Sequence, residues 1–296
     1  MNDAIKRTFR FINQHQLAKR HLFTAYYRFF FWQLRSRLNR NLQAVKFIGP
    51  ISFLAKTGLT GITGNIYTGL HEFEDMSFLL HFLRPDDVFF DVGANVGSYT
   101  LLASGICKAK SITFEPIPST HSILKQNVEL NNLNALVKTE NKGVGSKNEL
   151  LHFTDTEDTT NHIVLDHEER QNIIKVPIVT LDSYCIIKKP ALIKIDVEGF
   201  ETEVLNGATA ILNDNTLKAI IIELNGSGGR YEYDELQIHQ KLVDYGFKPY
   251  QYFPFERRLK EIASFGSYNT IYIRDIISVE KRVKSSKTFK VFNENI

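Results

Sequence analysis

Cysteine is almost missing from this chain. Cys107 and Cys185 are the only two in 296 residues. They are too few and too far apart for a disulfide framework, so a reducing compartment is the simpler expectation. Long apolar runs are missing too. A membrane-crossing helix needs roughly 18 or more apolar residues, and the nearest stretch, Phe47 to Leu70, is interrupted by Lys56 and five glycines. Lys6, Arg7, Arg10, Lys19 and Arg20 break any apolar core a secretory leader would need, so a cytoplasmic location is expected. Acid is missing from one end. Residues 1–60 hold eleven basic side chains against the single acid Asp3, a net +10, whereas the remainder of the chain sums to −7. The overall charge of +3 therefore hides a basic arm on an acidic body. At 43% hydrophobic and 23% charged residues, what is present is the composition of a globular protein.

There is no internal repeat. Three textures follow one another, which predicts a basic helical extension and connector over residues 1–60, a catalytic-type α/β domain over 61–280 and a tail over 281–296. Residues 1–46 read as helix, with Tyr27, Phe30, Phe31, Leu34, Leu38, Leu42 and Val45 recurring at steps of three and four. Residues 47–70, rich in Gly and Thr, read as irregular with short strands. From His71 onward short apolar strands alternate with helices, the pattern of parallel βαβ units. Strands are expected at 88–92, 111–115, 136–140, 192–196, 219–223, 247–253 and 268–273, and helices at 98–104, 119–130, 202–212 and 233–245. Two more strands, 149–153 and 174–179, flank a polar loop, 154–169. Strands this apolar belong to a sheet covered on both faces, and such a sheet binds ligands beyond the carboxyl ends of its strands. The residues at those ends are Asp91 and Gly93, Glu115, Asp196 and Glu198, and Glu223 and Asn225.

The first strand end reads Asp91-Val92-Gly93-Ala94-Asn95-Val96-Gly97-Ser98. Gly93 lets the chain turn sharply and approach a ligand closely. A pyrophosphate-binding loop wants Gly-x-Gly-x-x-Gly, but here Asn95 and Ser98 occupy the second and third glycine positions. A nucleoside ligand without phosphates suits the loop better, and S-adenosylmethionine is such a ligand. Asp91 would then face its ammonium group, directly or through water. Eighteen residues after Gly97, Glu115 ends the next strand, where a carboxylate can accept from both ribose hydroxyls.

Five segments, FDVGANVGSYT, FEPIPSTHSILKQNVELNNL, VPIVTLDSY, LIKIDVEGFETEVLNGA and IIIELN, together resemble the FkbM family of S-adenosylmethionine-dependent methyltransferases over roughly residues 60–275. The most specific piece is Lys194 to Glu201. The resemblance implies a Rossmann-like, seven-stranded class I methyltransferase sheet with its last strand antiparallel. It also implies O-methylation of a hydroxyl on a carbohydrate, glycoconjugate or natural product. Carried over residue by residue, Asp91, Gly93, Asn95 and Gly97 match the cofactor loop and Glu115 the ribose acid. Pro116 follows it, and Gly143 and Val144 lie in the 141–145 segment that borders the adenine. Asp196 lies beside the methionine part and the transferring methyl. Glu198, Glu201 and Glu223 line the acceptor side, and Asp196, Glu198 and Glu223 are the candidate catalytic residues. A hydroxyl acceptor must lose a proton, and three grouped carboxylates raise the pKa of at least one, which suits a base. Structural roles stay open: Glu198 as the cap of the helix near Glu201, and Glu223 as the partner of a backbone amide. Asp196, Glu223 and Asn225 are also oxygen ligands of the right type for a divalent cation, but no spacing demands one and no metal is expected. His71 and His162 are further possible bases. The Asp/Asn-Pro-Pro-aromatic turn of methyltransferases acting on amino groups is missing; its place is taken by Asp196-Val197-Glu198-Gly199.

Three readings of the arm stay open. It packs its Tyr27–Val45 stripe on the catalytic domain or on a second subunit, it lies on the inner membrane surface through residues 1–46, or it binds nucleic acid. The first is preferred and nucleic acid is not expected, because no stacking platform or helix-turn-helix pattern accompanies the charge. A rival to the enzyme is a non-enzymatic binding module of the same fold that docks through the arm. Intact Asp91, Gly93, Gly97 and Glu115 speak against it.

Overall fold

The computed structural model describes residues 3–154, 162–163, 173–185 and 188–296; apart from Thr154, His162 and Ile163, the loop 154–169 lies outside them. The chain opens with helices α1 (Asp3–Gln14) and α2 (Leu22–Leu38) and a hairpin of β1 (Gln43–Lys46) and β2 (Ser52–Ala55). Helices α3 (Thr60–Thr68) and α4 (Phe73–Phe82) lead into β3 (Val88–Val92). Then come α5 (Ser98–Thr100), which runs on as a π-turn over Leu101–Ile106, β4 (Lys110–Phe114), α6 (Pro118–Leu130) and β5 (Val137–Glu140). A small side sheet holds β6 (Gly143–Val144), β7 (Glu149–Thr154) and β8 (Ile173–Val179). After α7 (Asp182–Cys185) follow β9 (Leu192–Ile195), α8 (Glu201–Asn206), α9 (Thr209–Asn213), β10 (Ala219–Glu223) and α10 (Glu235–Asp244). The chain ends with β11 (Lys248–Phe253), β12 (Arg258–Glu261), β13 (Asn269–Ile273), α11 (Ile276–Lys284) and a hairpin of β14 (Lys290–Val291) and β15 (Glu294–Asn295).

The main sheet has the order β12-β11-β13-β10-β9-β3-β4-β5. Strands β5, β4, β3, β9 and β10 are mutually parallel, and β13 runs antiparallel to both β10 and β11. The Rossmann-like α/β sheet with its last long strand reversed is as expected from the sequence. Its strand number is eight rather than seven, because β12 pairs with β11 as an edge hairpin. The sequence Arg258-Leu259-Lys260-Glu261 buries only Leu259, so it carries no apolar run to announce a strand. Successive residues of the central strands face opposite cores. Phe89, Leu192 and Ile221 pack toward α4 and the N-terminal helices, while Phe90, Ile193 and Ile222 pack toward α8, α9 and α10.

The arm differs most from expectation. It is two helices broken by a 3₁₀ turn at Ala18–Arg20, not one. His15 breaks it: Nδ1 accepts from the Ala18 amide at 3.1 Å while Nε2 donates to the Leu70 carbonyl at 2.7 Å, pinning the arm to the domain. Burial holds the His15 ring neutral, with its pKa lowered to about 4. The face of α2 that packs is Ala25, Phe29, Trp32 and Ser36, which lies against α3 through the Phe29–Tyr67 ring contact. Of the stripe expected to pack on the catalytic domain or on a second subunit, Leu42 and Val45 pack against the core, whereas Tyr27, Phe30, Phe31, Leu34 and Leu38 face solvent. Both faces of α2 are apolar, so periodicity alone did not say which one the core takes. Among the described residues no helix is long and apolar enough to cross a membrane.

Candidate active site

The carboxyl ends of β3, β4, β9 and β10 share one edge of the sheet, and the order of strands reverses between β3 and β9. A cavity of about 360 Å³ opens there. It is walled by the Gly93 turn, by Glu115 and Pro116 after β4, by Gly143 and Val144 of β6, and by Asp196, Glu198 and Glu223 after β9 and β10. Asp91, Gly93, Asn95, Glu115, Pro116, Gly143, Val144, Asp196, Glu198 and Glu223, proposed from the sequence, all line this cavity, whereas Gly97 does not. Gly97 (φ +93°) sits behind the loop, where a Cβ would meet Leu124.

Gly93 shows why the loop needs its glycine. Its φ is +78°, and a Cβ would lie 1.7 Å from the Asp196 carbonyl oxygen. The turn after β3 thus rests directly on the backbone at the end of β9. Asn95 also adopts a positive φ, +51°, which asparagine tolerates better than most residues. Its amide donates to Glu115 Oε2 at 2.9 Å, while Glu115 Oε1 accepts from the Ile117 amide at 3.0 Å. Glu115 is therefore locked across the loop. Burial pushes its carboxyl up to about 7, against the opposing pull of the two amides. Asp91 is deeper than the sequence suggested. It is 1% exposed, its Oδ2 accepts from Thr100 Oγ1 at 2.5 Å, and burial raises it to about 6.

The acids at the ends of β9 and β10 form a tight group. Asp196, Glu198 and Glu223 bring carboxylate oxygens within 4.8 Å of one another. Burial, then the neighbouring charges of Asp196 and Glu201, lifts Glu198 to about 7. Burial, then Asp196, holds Glu223 well above the usual carboxylate range. The structural roles considered for these acids fall elsewhere. Glu201, not Glu198, ties the turn before α8: its Oε1 accepts from the Val197 amide at 3.1 Å and the Gly199 amide at 3.3 Å. With its carboxylate turned to the backbone, Glu201 does not line the cavity, contrary to the acceptor-side position expected of it. Asn225 does not line it either; its Oδ1 accepts from the Ser227 amide at 2.9 Å. His71 lies on the wall and is held neutral by burial. His162 is off the cavity, beside Arg230.

One participant was named in the sequence but given no role. The Lys194 side chain is 2% exposed, and its Nζ donates to Asp196 Oδ2 at 3.1 Å and to Asn269 Oδ1 at 3.0 Å. Neighbouring carboxylates outweigh the burial that would lower its pKa and drive that pKa up. Asn269 Nδ2 and the Tyr99 hydroxyl in turn donate to Glu72, at 2.6 and 2.7 Å. A single lysine in the otherwise apolar strand Leu192-Ile193-Lys194-Ile195 was the available signal, since a buried ammonium requires partners. Glu72 and Tyr99 carried no comparable signal.

Comparison with known proteins agrees on the family. The Methyltransferase FkbM domain profile matches residues 91–249. The chain is 28% identical over 175 residues to Methyltransferase 1 of Beauveria bassiana, covering 50% of this chain and 68% of that protein. It is 28% identical over 159 residues to the hexuronic acid methyltransferase AglP of Haloferax volcanii, covering 50% of this chain and 59% of that protein. Among solved structures, TYW2 of Pyrococcus horikoshii in complex with MeSAdo aligns with a TM-score of 0.42 at 13% identity, covering 79% of this chain and 70% of that one.

Proposed function

The chain belongs to the FkbM family of methyltransferases, and on that premise we propose that it transfers a methyl group from S-adenosylmethionine to a hydroxyl of a carbohydrate or related glycan acceptor. The residues present fit that cofactor. The cavity carries the acids Glu72, Asp91, Glu115, Asp196, Glu198 and Glu223 against the cations Lys142 and Lys194, which suits a sulfonium and an ammonium and repels a pyrophosphate. Glu115 would take the ribose hydroxyls on the lone pairs its two amide bonds leave over. Val144, Ile117, Phe153 and Ile163 offer apolar walls for a base. The Gly93 turn and the Asp196 backbone would hold the methionine part between β3 and β9.

S-adenosylmethionine, when bound, supplies an electrophilic methyl on a cationic sulfur. The protein's task is to place the acceptor oxygen and take its proton. Positioning is the larger contribution, worth roughly 7–11 kcal/mol when the geometry is good. Glu198 is the base in this reading. Its raised pKa matches working pH, where a base is both largely ionised and strong enough to accept. Lys194 fixes Asp196, and Asp196 with the protonated Glu223 forms the floor beneath the acceptor. The observation that carries the choice of a hydroxyl is the environment of Glu198. A carboxylate acceptor arrives ionised and needs no base, whereas a hydroxyl needs one. The name of the AglP relative supports a sugar as the carrier. The test is a transfer assay with a radiolabelled methyl donor on neutral and acidic oligosaccharides. Label incorporated as an alkali-stable methyl ether agrees with the proposal. Label released by mild alkali, the behaviour of a methyl ester, contradicts it.

A further inference from the structure

Helix α2 has two apolar faces, and only one is used by the fold. Phe23, Tyr27, Phe30, Phe31, Leu34 and Leu38 fall within a sector of about 100° of the helix wheel, opposite the packed Ala25, Phe29, Trp32 and Ser36. Those six are 52–86% exposed. Isolated exposed apolar residues are ordinary, but a contiguous stripe of aromatic and aliphatic side chains marks a surface meant to be covered. The stripe is set in positive charge. Helix α1 borders it through the Phe9–Phe30 ring contact and exposes Lys6, Arg7 and Arg10. Lys19 is exposed just before α2, and Arg37 and Arg40 at its end. The whole segment to residue 60 contains one acid.

We infer that this face is a docking surface for an anionic lipid bilayer, with α2 lying in the plane of the headgroups. An apolar stripe rich in aromatics and flanked by Lys and Arg is what an interfacial helix presents. Negatively charged headgroups supply the complementary charge. A second copy of the chain suits the face less well, since a twofold contact would set one net +10 arm against another. The helix is close to the candidate active site. Its packed face contacts α3 through Phe29 and through Gln33, whose amide donates to the Tyr67 hydroxyl at 3.2 Å. Helix α3 in turn contributes Gly61 to the cavity wall. A catalytic domain docked in this way would hold its cavity within one helix layer of the membrane surface.

The experiment is sedimentation of the full chain with vesicles of phosphatidylglycerol and phosphatidylcholine in equal parts, beside vesicles of phosphatidylcholine alone. Binding is expected to the anionic vesicles only, and to be lost in about 1 M salt, where screening contracts to about 3 Å. The triple variant Phe23→Ser, Phe31→Ser, Leu38→Ser is expected to bind at least about tenfold more weakly. The pair Arg7→Glu, Arg10→Glu is expected to lose binding with the stripe intact. All five positions are exposed, and unchanged circular dichroism and melting verify the fold. The control Ile277→Ser, which removes an equally exposed apolar side chain from α11, is expected to bind as the parent does. The inference is overturned if the parent ignores anionic vesicles, or if the triple variant binds equally. It is also overturned if Ile277→Ser weakens binding as much, or if ultracentrifugation shows a dimer that the triple variant abolishes.

Discussion

Replacing Glu198 by Gln tests the chemistry directly. The substitution keeps size and hydrogen-bonding capacity at a position with φ +54°, but it cannot take a proton. With its carboxyl raised to about 7 by burial and by Asp196 and Glu201, Glu198 is about half ionised at pH 7 and about one-tenth ionised a unit lower. The parent's turnover should therefore rise with pH, with its midpoint near 7, and level off about one unit higher. Loss of a positioned base costs about 10²–10⁴ in rate, equivalent to about 3–5 kcal/mol in the barrier. The assay is turnover against pH at saturating cofactor and acceptor, paired with a cofactor titration. Glu198→Gln should lose that factor and the rising limb together, with cofactor affinity unchanged within about twofold. Because the same three acids are close enough to hold a divalent ion, the series is repeated after chelation and dialysis, and turnover is expected to be unaffected. A Glu198→Gln enzyme within tenfold of the parent, or a parent profile flat between about pH 5.5 and 8.5, would refute the assignment.

Gly93→Ala places a methyl 1.7 Å from the Asp196 carbonyl oxygen at a φ of +78°. It should melt at lower temperature by calorimetry, at a cost above about 1–3 kcal/mol, and lose cofactor binding; a parent-like melt with intact binding would mean the turn does not rest on β9. Lys194→Met leaves Asp196 without its cation. Breaking a buried pair costs about 3–5 kcal/mol, and the partial exposure of Asp196 places the loss toward the lower end, readable by denaturant titration. The apoprotein should lose stability as pH rises from about 4.5 to 7. Asp91, Glu115 and Glu201 have folded pKa values of about 6, 7 and 7, above their unfolded values, so their burial is free while they are protonated and penalised once they ionise. The buried His15 and His81, both lowered to about 4, act in the opposite direction as pH falls, but are outnumbered. Thermal melts across that window check the sign, and a melting temperature that climbs toward pH 7 would contradict it.

Much of the site was legible because each piece sits at a strand end, where a short apolar run stops and a charged residue or glycine follows. The Asp91–Gly97 loop, Glu115 and the Asp196–Glu198 turn were read from that punctuation. The structure adds that they converge on one cavity. What the sequence hid is long-range. Nothing near Glu201 in sequence says that its carboxylate turns back onto the Val197 and Gly199 amides, leaving Glu198 to face the cavity. Glu72, 197 residues from Asn269, meets it only because the fold brings the residue before α4 beside the start of β13. Strand β12 was missed because an edge strand needs to bury little. The arm was less legible for the converse reason: with apolar residues on both faces of α2, amphipathic periodicity could not say which side meets the core.

The central claim is that the cavity between β3 and β9 holds S-adenosylmethionine. Calorimetric titration of the purified full chain with S-adenosylmethionine and with S-adenosylhomocysteine tests it most directly. One-to-one binding below about 100 µM is predicted, weakened at least about tenfold by Glu115→Ala through the loss of charge-assisted hydrogen bonds and unaffected by Glu198→Gln. No heat from either ligand with the parent protein, or binding that Glu115→Ala leaves untouched, would contradict the account.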